Sequence, residues 1–448
     1  MASSKKQRHG ELAARLETLL NTVVQPGQRL LLGFSGGLDS CVLLHLLAGL
    51  RTKCGYELAA LHVHHGLSPN ADAWQVYCAQ TAAQYQIPLI TRRVTVPRDS
   101  GLGIEAAARS ARYAALLAEP VDMVVLAHHQ DDQAETLLLQ LLRGAGVKGM
   151  AAMPLQAATE NGKPALLRPL LEVSRAALER YAHDHGLQWI EDESNLDQAY
   201  DRNFLRHHVF PVLEQRFPAS HVTLARSAAH FAEAASLLDE VAREDAVRWI
   251  SHGRLNVEAL RTLSEPRARN LLRYWLSAYL STLPNTRRLH EIQRQLAQAG
   301  AEAMVCIEVG EGQVRRYRDE AWFDNGGVQP LQREITWRGE PVLQLEGGRL
   351  HVQQVLGAGI ALARLADGGL TVRARRGGES LRLHPARPAR SLKNLFQEFG
   401  IPAWQRAAIP LIYCGDELVA VPGIGVASEW QVAADHTGLV VEWRLGEC

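Results

Sequence analysis

The chain of 448 residues lacks net charge, its 48 Lys and Arg being matched by 48 Asp and Glu. A global field drawing it to nucleic acid or membrane is thereby excluded, so a polyanionic partner has to be held by local basic patches. It also lacks any uncharged apolar stretch near the ~18 residues that a membrane span needs. The opening MASSKKQRHG has no apolar core behind it, so no signal peptide is expected. Cysteine is sparse, with six scattered residues (41, 54, 78, 306, 414 and 448) and no C-x-x-C pair. A disulfide framework, a zinc site or an iron–sulfur site is therefore not expected, and a soluble cytoplasmic protein is. The G-x-x-x-x-G-K-[ST] pattern is missing too, as are internal repeats and low-complexity tracts.

What is present begins with alternation. From about residue 28 to 190, apolar strand-like runs (RLLLGF, ELAALHVHH, IPLITRRVTV, VDMVVLAHH) alternate with helix-length segments over 40–50, 70–86, 103–119 and 131–143. Strands that are apolar throughout predict an α/β domain with a parallel, Rossmann-like sheet covered on both faces. Ligands bind such sheets at the carboxyl ends of the strands, where SGGLDS, HVHHGL and AHHQDDQAE all fall. The texture then changes. Pro211 and Pro218 suggest a domain edge near 217, residues 221–300 carry helical spacing, and β-like runs with glycine pairs follow from about 303. The expected domains are 1–216, 217–325 (helical) and 326–448 (α+β).

In LLGFSGGLDS, Leu31 to Ser40, a strand feeds a helix through a glycine turn. Such a turn leaves backbone N–H groups unpaired at the positive end of a helix, which is an anion site. Gly36 and Gly37 let amides approach phosphate oxygens without Cβ obstruction, and Ser35 and Ser40 add hydroxyls. Asp39 either caps the helix or helps to hold Mg²⁺. A plain strand–turn–helix connection is the alternative.

The other clusters carry two readings each. Alternation puts His62 and His64 on one face and His65 on the other, as nucleotide-contacting groups or as core histidines. Glu105, Arg109 and Arg112 share a helical face, where Glu105 can pair with Arg109. Asp132 and Glu135, at i and i+3 in a first helical turn, face one point and suit Mg²⁺ or an ammonium group; with Asp131 they alternatively cap the helix. Arg202 and Arg206 flank Asn203 beside the acidic EDESNLD turn, forming a solvated basic face or a rigid substrate wall. From Arg373 to Lys393, seven cations stand against the single acid Glu379, which fits phosphate-backbone binding or a solvated basic surface. In SLKNLFQEFG, Leu392, Leu395, Phe396 and Phe399 form an apolar stripe expected to be core.

Ser35-Gly36-Gly37-Leu38-Asp39-Ser40 resembles the S-G-G-x-D-S loop of the N-type ATP pyrophosphatases, whose fold is adenine nucleotide alpha hydrolase-like. Those enzymes cleave ATP between the α and β phosphates and adenylate a substrate oxygen. SGGLDS, HVHHGL, GIEAAARSARYAAL, AHHQDDQAETLLLQLLRGAG, RPLLEVSR, WIEDESNLDQAYDRNFLRHHVFP and GGESLRLH…SLKNLFQEFGIPAWQR together resemble the tRNA(Ile)-lysidine synthases over nearly the whole chain. The resemblance implies ATP and Mg²⁺ as cofactors, and as substrates L-lysine and a tRNA(Ile) whose CAU anticodon carries the cytidine to be modified at position 34.

It further implies ATP binding by Ser35 to Ser40 with His62 and His64, and catalysis by Asp39, Arg112, Asp132 and Glu135. Asp39 and Asp132 would hold the metal, and Arg112 would meet the charge on the α-phosphate. Asn195, Arg202, Asn203 and Arg206 would form the substrate wall, and Arg373, Arg375, Arg376, Arg387, Arg390 and Lys393 would bind tRNA. No membrane is implied, and a homodimer is compatible. A tRNA-thiolating sibling shares the loop, but those closest to it usually carry paired cysteines, which are missing here. A non-catalytic ATP-binding RNA-binding protein would leave the converging acids and arginines unexplained.

Overall fold

The computed structural model describes residues 2–97, 103–159, 162–193, 197–300, 303–326, 331–365 and 369–445. The chain divides into two compact units, Met1–Leu238 and Asp239–Cys448. No described helix is long and apolar enough to cross a membrane.

The first unit is built on a strand that alternation makes two-faced. In β1 (Arg29–Gly33), Leu30, Leu31 and Leu32 are all fully buried. Leu30 and Leu32 join a cluster with Leu16 and Leu20 of α1 (Ala2–Val23) and Leu43, Leu44 and Leu47 of α2 (Leu38–Cys54). Leu31 faces the other way, toward Leu61 of β2 (Glu57–His64) and Leu116. A strand buried on both faces is what a parallel sheet between helix layers requires. The chain continues through α3 (Ala71–Gln84), β3 (Leu89–Arg93), α4 (Ile104–Leu117), β4 (Met123–Val125), α5 (Gln130–Leu142) and α6 (Val147–Met150).

Two short strands complete the sheet, β5 (Gln156–Ala157) and β6 (Ala165–Leu167), in the order β3-β2-β1-β4-β6-β5. β1 pairs in parallel with both β2 and β4, and β4 with β6, while β5 is antiparallel to β6. Chain order reverses at β1, so the crevice between the carboxyl ends of β1 and β4 is a topological switch point, the place where open α/β sheets bind ligands. After β6 come α7 (Arg175–Asp184), α8 (Asp201–Phe204), a π-helical turn over Leu205–Val209, α9 (Phe210–Arg216) and α10 (Ser220–Trp249).

The predicted parallel domain is present. The sequence reading did not include α1, whose apolar stripe (Leu12, Leu16, Leu20, Val24) is narrow, nor β5 and β6, which are too short to show periodicity.

In the second unit, the region expected to be helical does hold helices Glu265–Ser277 and Thr286–Gln298, but they pack on strands. Arg254–Asn256 pairs with Glu320–Asp324 in a five-stranded sheet that also contains Val305–Val309 and Gly312–Tyr317. Strands of two and three residues at 250–251 and 254–256 carry no readable alternation, which is why helical spacing dominated. A separate core then gathers Leu350, Val372, Leu411, Val419 and Leu439 between antiparallel sheets. Leu392, Leu395 and Phe396 of helix Leu392–Glu398 are buried there, whereas Phe399, also expected in that core, is 47% exposed just past the helix end.

Candidate active site

The phosphate loop lies between β1 and α2. Gly36 holds φ at +82°, and a Cβ built on it would sit 2.7 Å from Ile190 Cδ1 and 2.9 Å from Cys78 Sγ. Glycine is therefore required there twice, by conformation and by space. Gly37, the residue before the helix, is extended and roomy, with its nearest Cβ neighbour at 3.5 Å. Ser35 Oγ lies 3.1 Å from Ser40 Oγ and accepts the Gly37 N–H, while Ser40 donates to the Gly37 carbonyl. The loop is thus pre-folded, and the first N–H groups of α2 point out of it without a partner inside the helix.

Asp39, in the first turn of α2, meets the cluster that follows β4. His129, 2% exposed, places Nε2 at 3.6 Å from Asp39 and 3.5 Å from Asp132. Asp132 also accepts the His129 backbone N–H at 3.0 Å, closing the start of α5. Burial raises the pKa of Asp39, His129 opposing and Asp132 adding to the rise; Asp39 Oδ1 is buried without a hydrogen-bond partner. Burial also acts on Asp132, but His129, His128 and the His129 N–H outweigh it and hold this carboxyl below its usual value.

The other two acids of the motif are occupied. Asp131 accepts the first N–H of α7, from Arg175. Glu135, 1% exposed, receives both Nε (2.8 Å) and Nη2 (3.0 Å) of Arg206. Arg206 also lies 3.6 Å from Asp132, and Arg202 lies 4.0 Å from it while donating to Thr136. Arg206 sits in the π-helical turn, where the Phe210 N–H reaches five residues back to the Leu205 carbonyl. Pro211 explains the slip, because it has no N–H to continue the α-helical ladder. Asn203 is buried and donates to the Asp197 carbonyl; Asn195 lies outside the described residues.

His62 and His64 are buried beside this edge, His62 on the Phe34 carbonyl (3.1 Å) and His64 on Asp72 (3.1 Å). Arg109 bonds the Tyr113 hydroxyl instead of Glu105. Arg112 is exposed and makes no hydrogen bond or ion pair among the described residues, and its nearest charge is the like-charged Arg109. In the C-terminal segment, Arg373 pairs with Glu334 (2.9 Å) and Asp416 (3.6 Å), Arg375 with Glu379 (3.5 Å), and Arg390 with Glu398. Arg376, Arg387 and Lys393 are exposed and make no ion pair among the described residues. The folded charge is thus smaller than the linear count.

Among the described residues, no three His, Cys, Asp or Glu side chains are arranged to hold a metal alone. Mg²⁺ needs less than that, since it binds through one or two carboxylates with substrate phosphates and water. The orphaned oxygen of Asp39 beside Asp132 fits such an ion. The sequence reading did not include His129 among the site residues; its signal was its place immediately before the acidic first turn of α5.

Two predictions follow from this geometry. Gly36→Ala destabilises the chain by ~1–3 kcal/mol in urea unfolding through clash and strain, whereas Gly37→Ala keeps its stability and shows its effect in ATP affinity, measured by equilibrium dialysis. The second concerns pH. Burial pushes His65 down to about 4 and His128 down to about 3, whereas an unfolded histidine titrates near 6.5. Between those values the unfolded chain binds more protons, so stability falls as pH drops from about 6.5 to about 4. The double variant His65→Asn, His128→Asn loses less stability over that window.

Three family models match successive parts of the chain: a PP-loop domain over residues 9–213, a TilS substrate binding domain over 255–322 and a TilS substrate C-terminal domain over 370–443. The chain is 43% identical to the tRNA(Ile)-lysidine synthase of Nitrosomonas europaea over 448 residues, covering 99% of this chain and 98% of that one. It is 44% identical to that of Aromatoleum aromaticum, covering 95% and 100%. With that of Escherichia coli O157:H7 the identity is 40%, over 95% and 98%. Identity at this level over nearly all of both chains, with the loop and its acids in place, makes this chain a member of the tRNA(Ile)-lysidine synthase family.

Proposed function

We propose that this chain uses ATP to join L-lysine to C2 of the wobble cytidine in a tRNA(Ile) with a CAU anticodon, releasing pyrophosphate and AMP. The observation that carries the reading is the meeting of the pre-folded Ser35–Ser40 loop with Asp39 and Asp132 about one buried histidine, at the switch point of the sheet. ATP use follows from the PP-loop family, and tRNA(Ile) from the family as a whole.

The reaction has two bond exchanges. The cytosine C2 oxygen attacks the α-phosphorus of ATP, and the bond to the pyrophosphate bridging oxygen breaks. The neutral ε-amine of lysine then attacks C2, and AMP leaves with the oxygen, two protons having left the lysine ammonium in all. Adenylation turns a poor leaving oxygen into a good one, so the chain's work is positioning and charge neutralisation.

In this reading the loop amides and hydroxyls take the pyrophosphate end of ATP. Arg112, without an ion-pair partner among the described residues, meets the charge on the α-phosphate. Mg²⁺ bound by Asp39 and Asp132 would neutralise phosphate oxygens. Asp132, kept ionised, also suits the lysine ammonium. Glu135 reaches that ammonium only by releasing Arg206; while the pair is closed it aims Arg206 at Asp132. Arg376, Arg387 and Lys393 are the cations of the basic segment left for a tRNA backbone.

Pyrophosphate release from ATP, followed with and without this tRNA and with each amino acid in turn, tests the reading. The expected result is release that requires the tRNA, with labelled lysine alone entering the RNA. Release coupled to another acceptor, or sulfur entering the RNA in place of lysine, contradicts it. Asp132→Asn is expected to fold and to lower the rate at least ~100-fold, the scale of one lost electrostatic contact.

A further inference from the structure

Beside the site described above runs an open cleft of about 590 Å³ between α4 and the end of β6, lined by Ala106, Arg109, Ser110, Tyr113, Ala114 and Arg168. α4 offers small side chains at 106 and 114, so the groove is walled by two guanidinium groups and one phenol. Arg168 immediately follows β6 and is only 6% exposed. Among the described residues its side chain makes one hydrogen bond, from Nη1 to the Pro154 carbonyl at 2.9 Å, and its Nε is buried without a partner. Arg109 lies over the Tyr113 ring, 5.3 Å from its centroid, and contacts the Tyr113 hydroxyl at 3.5 Å. Among the described residues neither arginine has a carboxylate within ion-pair distance. Two uncompensated cations facing one cleft, one of them buried with a spare donor, are an arrangement that an oxyanion completes.

We propose that Arg109 and Arg168 bind a backbone phosphate of the substrate RNA, holding the nucleotide next to the one that reacts. The proposal rests on the functional reading above. A phosphate could equally come from ATP, but two observations favour the RNA chain. The ATP loop lies at the end of β1, whereas this cleft lies at the end of β6, across β4 in the sheet. The opening is also wide enough for a nucleotide. His128 is within electrostatic reach of Asp132 as well as of Arg168 and Arg109, so the cleft adjoins the acids of the site.

The test uses the full chain with tRNA(Ile) carrying the CAU anticodon. Equilibrium binding of the tRNA is measured across a salt series, and ATP binding is measured in parallel, for wild type, Arg109→Gln and Arg168→Gln. Each substitution is expected to weaken tRNA binding by ~10-fold, the factor matching one charge-assisted contact. Each should also flatten the salt dependence by about 0.7 in logarithmic slope, the value for one single-strand phosphate, while ATP binding stays as in wild type.

Unchanged tRNA affinity and slope overturn the proposal, as does weakened ATP binding with tRNA binding intact, which would assign the phosphate to ATP. Arg168 also supports the Pro154 carbonyl, so if Arg168→Gln fails to fold, Arg109→Gln, whose side chain bonds only Tyr113, decides the question alone. Wild type that binds ATP but neither binds nor modifies the tRNA overturns the functional reading and this inference with it. Wild type that modifies the tRNA, with variants that bind it normally, overturns the cleft assignment alone.

Discussion

Everything at this site depends on one buried imidazole placed between two carboxylates of different helices. Asp39 opens α2, Asp132 opens α5, and His129 lies within 3.6 Å of both. Two carboxylates drawn together out of water repel each other and lose hydration, costs that only positive partners offset. The amino-terminal ends of the two helices, and Arg202 and Arg206, supply that compensation around the imidazole. It is incomplete on one side. Asp132 is held ionised, whereas Asp39 is pushed up by burial and keeps one oxygen without a partner. The asymmetry leaves room for one more cation, next to a loop built to receive phosphate.

The sheet makes that meeting possible. β1 and β4 are neighbours in space but separated in sequence by two strand–helix excursions, so the loop after β1 and the histidines after β4 face each other across the switch point. Around them a second set of contacts fixes direction. Asp131 ties α5 to α7, Glu135 grips Arg206 with both oxygens, and a π-helical turn before Pro211 carries that arginine. Residues that look alike in sequence, Asp131 and Asp132, therefore do different work.

Much of this was legible in the sequence because it is written in strong local patterns. RLLLG with a glycine turn reads as a strand feeding a helix, and the runs ending in HVHH and LAHH place their histidines at the same sheet edge. What was not legible depends on contacts between distant segments. The engagement of Glu135 by Arg206 joins residues 71 positions apart, and the spare donor of Arg168 is visible only once Pro154 is seen beside it. The basic segment after residue 372 reads as strongly positive only until Glu334, Asp416 and Glu398 fold against it. Strands of two or three residues, such as those at 156–157 and 250–251, leave no alternation to read.

We propose that Asp39, buried with one oxygen unpartnered, takes up a cation beside the Ser35–Ser40 loop. The most direct test is ATP affinity measured with and without Mg²⁺ in wild type and in Asp39→Asn. Mg²⁺ should tighten binding in wild type; in the variant that gain should vanish, while affinity for ATP without metal is kept or improved by removal of a negative charge. An equal Mg²⁺ dependence in both proteins would show that Asp39 does not hold the ion.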